Sequence, residues 1–203
     1  MSSTILLLCG IAFLAGFVDA IVGGGGLIQT PAGLIMFPNE PVARVIGSLK
    51  IPSFTGTLFA AKQYLKKAPI PAARLILFTS IAFAAAFFGS YCLTLVSNQF
   101  MKPVIFFVLV VIAIYTYTKK DLGLSSIVKE ANFPWYKGAA ICLLIGFYDG
   151  FIGPGAGSLL VLAFISWLGF DFLQANSHAK VVNLATNLGS IVLFMLKGSI
   201  LWS

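Results

Sequence analysis

The chain has 203 residues, of which 59% are hydrophobic and 9% charged, and 13 Lys and Arg against 6 Asp and Glu give a net charge of +7. Soluble domains carry about 25% charged residues, so this composition and its long apolar blocks exclude a soluble globule and indicate a polytopic membrane protein. The positive charge does not point to nucleic acid, because no basic stripe is interleaved with aromatics.

In chain order, apolar segments run from Thr4 to Val22, Leu27 to Phe37, Val42 to Ala61, Ile70 to Val96 and Phe100 to Tyr117, then from Trp135 to Ile152, Ser158 to Gly169 and His178 to Leu196. The first segment lacks a basic start, so it is expected to stay in place as a helix. Spanning a bilayer takes about 20 residues. Leu27–Phe37 and Ser158–Gly169 fall short of that and follow glycine-rich breaks, which predicts re-entrant or discontinuous elements. Cys9, Cys92 and Cys142 lie inside apolar blocks without metal-ligand spacing and read as small apolar filler. Lys62, Lys66, Lys67 and Arg74 cluster in one connection, and Lys119, Lys120, Lys129 and Lys137 in another. By the positive-inside rule both connections are cytoplasmic.

An internal repeat is visible. Gly16-Phe17-Val18-Asp19-Ala20-Ile21-Val22-Gly23-Gly24-Gly25-Gly26 matches Gly146-Phe147-Tyr148-Asp149-Gly150-Phe151-Ile152-Gly153-Pro154-Gly155-Ala156, and the same offset of about 130 residues carries Lys50 onto Lys180. The expected architecture is therefore an all-α integral membrane protein of about eight helical elements. Its parts are a first repeat over residues 1–118, a cytoplasmic linker over 119–136 and an incomplete second repeat over 137–203. Loop parity turns the second repeat upside down relative to the first, the inverted-repeat plan of secondary transporters. At this offset Ser203 corresponds to Ala73, so a further C-terminal pair of crossings is expected and missing.

The Gly23–Gly26 run lacks the Gly-Lys-Ser/Thr of a phosphate loop and does not follow a strand, so a nucleotide site is rejected. Glycines at a helix break permit positive φ, and the following helix start offers N–H groups and a positive dipole end to an anion. Gly25, Gly26, Gln29, Gly155, Gly157 and Ser158 are candidate anion contacts on that ground; close helix packing is the other reading of the glycines. Asp19, Asp149, Lys50 and Lys180 are ionisable groups in apolar segments, each needing a partner or a function. Asp–Lys ion pairs, or lysines facing an anion while aspartates order the glycine turns, both fit. Which aspartate would meet which lysine stays open. Lys180, Asn183 and Asn187 share one helical face, a polar stripe suited to a cavity or to helix contacts. His178 is a helix-end hydrogen-bonding residue or a proton-coupling one.

Taken together, Gly16–Ile28, Gly146–Ser158 and the run His178-Ala-Lys-Val-Val-Asn-Leu-Ala-Thr-Asn-Leu-Gly resemble the TauE/SafE family of sulfite exporters over nearly the whole chain. The resemblance implies export of sulfite, sulfoacetate or related sulfur-containing anions across the bacterial inner membrane. The family often has Thr-Asn-Lys where this chain has Ser48-Leu49-Lys50, so an amide beside Lys50 is lacking and the Lys180 half is favoured. The expected partners are a small anionic substrate and the lipid bilayer, with a homodimer left open; no nucleic acid, cofactor or metal is expected. No Cys–His, Ser–His or metal-ligand arrangement suggests an enzyme. An anion channel on the same scaffold, or a non-transporting membrane partner protein, are the alternative functions.

The topology has a direct check. Single cysteines at Gln63 and Ser126 are expected to resist a membrane-impermeant label in intact cells. Labelling of both reverses the orientation, and labelling of one breaks the parity.

Overall fold

The computed structural model describes residues 2–118 and 134–201. Lys119, Lys120 and Lys129, and with them most of the expected linker, lie outside the described residues. Those residues form eight α-helices and no strand: α1 (Ser2–Val22), α2 (Gly25–Met36), α3 (Val42–Lys67), α4 (Ala72–Leu95), α5 (Asn98–Thr118), α6 (Trp135–Phe151), α7 (Ala156–Leu168) and α8 (Phe172–Leu196).

Local chemistry sets the helix ends. Pro41, Pro71 and Pro134 stand immediately before α3, α4 and α6, where the fixed φ of proline suits a helix start. Asp171 caps α8 by accepting a hydrogen bond from the Gln174 amide at 2.7 Å, and Gly169 closes α7 in the left-handed region at φ 71°. Helix α3 runs past Ala61, where its apolar block ends, to Lys67. Lys66 and Lys67 thus occupy its last turn, where cations meet the negative end of the helix dipole. The connection expected between basic residues shrinks to the few residues around Pro69.

Packing is centred on α4, α6 and α8, with α3 against α8. One apolar core joins Phe78 and Ala82 of α4, Ile141 and Cys142 of α6, and Leu160 and Phe164 of α7. A second joins Val42 and Ile46 of α3 to Leu93, Met101, Ile105 and Phe194. Small residues permit the close α4–α6 approach. A Cβ on Gly150 would strike the Ala86 backbone, and Gly89 lies against the Phe147 carbonyl. Helix α4 covers α6 and α8, whereas Gly16 of α1 and Gly56 of α3 have no neighbour within 4 Å.

Among the described residues α4 and α8 are long and apolar enough to cross a bilayer. Large apolar side chains also point outward around the bundle, among them Phe13 (74% exposed), Phe59, Phe106, Phe107, Leu144 and Leu196. A water-facing surface seldom carries so much apolar area; a lipid-facing one requires it.

The glycine environments yield a paired prediction. Gly150→Ala is expected to destabilise the purified protein by about 1–3 kcal/mol through overpacking. Gly16→Ala is expected to be neutral or to stabilise by about 0.5–1 kcal/mol. Thermal unfolding in detergent compares the two.

Candidate functional site

Two helix breaks face each other. Helix α1 ends at Val22 and α2 begins at Gly25; α6 ends at Phe151 and α7 begins at Ala156. Gly23, Gly153 and Gly155 hold φ values of 83°, 92° and 78°, conformations that L side chains resist. The Ser158 amide donates to the Gly23 carbonyl at 3.1 Å, and Gly157 lies so close to Gly23 that neither has room for a Cβ. Gly26 in turn lies against Pro154. The glycines therefore serve close packing between the breaks as well as the turns themselves.

The buried charges are compensated crosswise. Lys50 Nζ of α3 donates to Asp149 Oδ1 of α6 at 2.8 Å and to the Asp149 carbonyl at 2.9 Å. Lys180 Nζ of α8 donates to the Asp19 carbonyl of α1 and stands 3.7 Å from Asp19 Oδ2. Each lysine thus meets the aspartate on the other side of the 119–133 segment, the pairing that the sequence left open. Asp19 has a second task, since its Oδ1 accepts from the Gly25 amide at 3.4 Å at the start of α2. Asp149 Oδ2 is buried and has no hydrogen-bond partner among the described residues.

A cavity of about 40 Å³ lies where these parts meet, room for about three water molecules. Of the expected site residues, Lys50, Asn183, Asn187, Gly26, Gln29, Gly155, Gly157, Asp19 and Asp149 line it. Lys180 and Ser158 are buried but do not line it, and Gly25 packs against Ala15 and Asp19 of the preceding helix instead. His178 stands apart as well. Its Nδ1 is 2.9 Å from the Gln174 carbonyl and its ring is surrounded by Phe78, Phe164 and Phe170.

Ser53 and Thr30 also line the cavity, and sequence reasoning missed both. Ser53 donates to Gln29 Oε1 at 3.2 Å, and Asn187 Nδ2 reaches Thr57 Oγ1 at 3.4 Å. The signal for Ser53 and Thr57 was present, because the offset that carries Lys50 onto Lys180 carries them onto Asn183 and Asn187. Leu49 lines the wall where the family often has an amide.

The site combines one cavity-facing ammonium, the amide side chains of Asn183, Asn187 and Gln29, the Ser53 hydroxyl and two carboxylates. Among the described residues no cluster of three or more His, Cys, Asp or Glu could hold a metal ion.

Removing one member of a buried ion pair typically costs about 3–5 kcal/mol, because the other charge is stranded. Lys180→Met is therefore expected to destabilise strongly, and Asp19→Asn combined with it to recover part of the loss. A double-mutant cycle on detergent-purified protein measures the coupling. Additive effects would show that the two side chains do not interact.

The comparisons with known proteins agree with one another. The chain is 34% identical to the "Probable membrane transporter protein" of Haemophilus influenzae, over 97% of this chain and 76% of that protein. It is 33% identical to "Probable membrane transporter protein ORF9" of Sinorhizobium sp, over 94% and 72% of the two chains. With "Probable membrane transporter protein YfcA" of Escherichia coli K12 the identity is 31%, over 95% and 71%. No solved structure gives a significant match. The model of the family described as "Sulfite exporter TauE/SafE" matches residues 8–203, and the chain belongs to that family.

Proposed function

We propose that this protein is a multi-pass secondary transporter of the bacterial inner membrane, exporting a small sulfur-containing anion such as sulfite or sulfoacetate by alternating access. The observation that carries the reading is the polar cavity at the meeting of the two helix breaks, lined by residues of α1, α2, α3, α6, α7 and α8. The family and the relatives' names support membrane transport; the ammonium and the neutral donors support an anion as cargo.

Two inverted repeats meet at this cavity in the proposed architecture. In its support, α7 packs on α8 as α2 packs on α3, and α6 on α7 as α1 on α2. The crossed ion pairs obey the same exchange. Lys50 lines the cavity in this conformation and Lys180 does not. When the two repeats exchange conformations, Lys180 takes the place of Lys50 at the anion, the expected behaviour of alternating access around a fixed site.

A thermal-shift screen of detergent-purified protein against sulfite, sulfoacetate, sulfate, thiosulfate and simple carboxylates tests the substrate class. A ligand at 100 times its Kd stabilises by about 2.7 kcal/mol, so one or more sulfur-containing anions should raise the melting temperature and carboxylates should not. In liposomes Lys50→Gln is expected to lower flux of that anion at least about tenfold, near 1.4 kcal/mol. Indifference to every anion would overturn the reading, and flux far above carrier rates would assign a channel.

A further inference from the structure

The four charges in and beside the site, Lys50, Lys180, Asp19 and Asp149, sum to zero in the two crossed pairs. A bound anion adds negative charge that nothing present offsets, in surroundings where charges are poorly screened. Asp149, a residue of the cavity wall, also carries one buried oxygen with no hydrogen-bond partner among the described residues. Asp149 is 2% exposed, its Oδ1 is held by Lys50, and its Oδ2 is unpartnered. Leaving a buried carboxylate oxygen without a hydrogen-bond partner is unfavourable.

From this geometry we propose that Asp149 is the coupling proton's binding site: anion entry is accompanied by uptake of one proton on Asp149 Oδ2. Protonation converts the carboxylate to a neutral acid and releases Lys50 Nζ from its ion pair. The ammonium, which already lines the cavity, then pairs with the anion. The proton comes from solvent, and no covalent bond to the anion forms or breaks. The exchange offsets one negative charge of the cargo. It also makes Asp149 a hydrogen-bond donor, whereas its carboxylate would repel an anion.

The surroundings of Asp149 favour this assignment. Lys50 faces it from α3, and Asp19 faces the same cavity from α1. Helix α8 contributes the neutral amides Asn183 and Asn187, and α7 has no ionisable residue. On the far side of α6, Ser90 Oγ donates to the Gly150 carbonyl at 3.1 Å, and the charged residue of α4, Arg74, lies about three turns from Ala86. Tyr148 hydrogen-bonds the Pro154 carbonyl at 2.5 Å. Asp19 differs from Asp149 because its Oδ1 already holds the Gly25 amide. A proton needs a single oxygen, whereas a sodium ion needs several further ligands around Oδ2.

This inference rests on the anion-transport reading, and its test separates the two. Calorimetric titration of the wild-type protein in two buffers of different ionisation enthalpy counts protons taken up per anion bound. With sulfoacetate, sulfate or thiosulfate, all fully ionised near pH 7, about one proton per anion is expected. In Asp149→Asn the count per anion bound should fall to about zero, at whatever affinity the variant retains. With sulfite, which can carry its own proton, the difference between wild type and Asp149→Asn is the readout, again about one. An infrared difference spectrum of the wild type on anion addition should gain a protonated-carboxyl band, so the test does not depend on any variant folding. Binding without proton uptake and without that band overturns the proposal but leaves transport standing, as does binding that requires sodium. Failure of every anion to bind the wild type overturns both.

Discussion

Four charges inside a lipid-facing bundle constrain everything around them. An ionised side chain at that depth costs about 2.5–3.5 kcal/mol even on insertion scales, and the pairs Lys50–Asp149 and Lys180–Asp19 compensate it. Both pairs tie a long helix to a helix that ends in a glycine break: α3 to α6, and α8 to α1. The cost of stranding any one of these charges therefore holds the four elements in a single arrangement. Ion pairs are weak sources of net stability when compared with apolar packing. Their value here is in position, since they place an ammonium and two carboxylates on the wall of one cavity.

The glycines make that placement physically possible. The Asp19 and Asp149 carbonyls accept from the lysine ammoniums in the last turns of α1 and α6, just before the positive-φ residues Gly23 and Gly153. The contact of Gly23 with Gly157 then brings the two breaks to backbone distance, secured by the Ser158 amide. Any side chain there would separate the breaks and open the cavity. The anion-binding logic of a helix start is consequently shared out. The Gly25 and Ser158 amides are engaged within the protein, while Gly26 and Gly157 form cavity wall.

Lys50 and Lys180 stand at the same offset as the two Gly-Phe-x-Asp motifs. They are equivalent in sequence and in the type of partner, yet one lines the cavity and the other is sealed behind it. In the proposed carrier, pairs that are alike in kind and unequal in their access to the cavity would let each state convert into the other by exchanging roles. The unpartnered Asp149 Oδ2 belongs to the exposed half of this asymmetry.

The sequence by itself determined the membrane class, the eight helical segments to within a few residues at most of their ends, and the set of buried charges. Those follow from local physics: apolar block length, proline and glycine punctuation, and the cost of charge in lipid. Offsets also marked Asp19 with Asp149 and Lys50 with Lys180 as equivalent. The crossed pairing, the displacement of Lys180 and Ser158 from the cavity wall, and the recruitment of Ser53 and Thr30 were decided only by tertiary structure. Equivalence in a sequence says which residues share a role. It does not say which of two acids lies within 3 Å of a lysine 99 positions away in the chain, because that distance is set by how α3, α6 and α8 pack. Helix packing depends on backbone approach at Gly89, Gly150 and Gly157, and no one-dimensional pattern carries the direction of that approach.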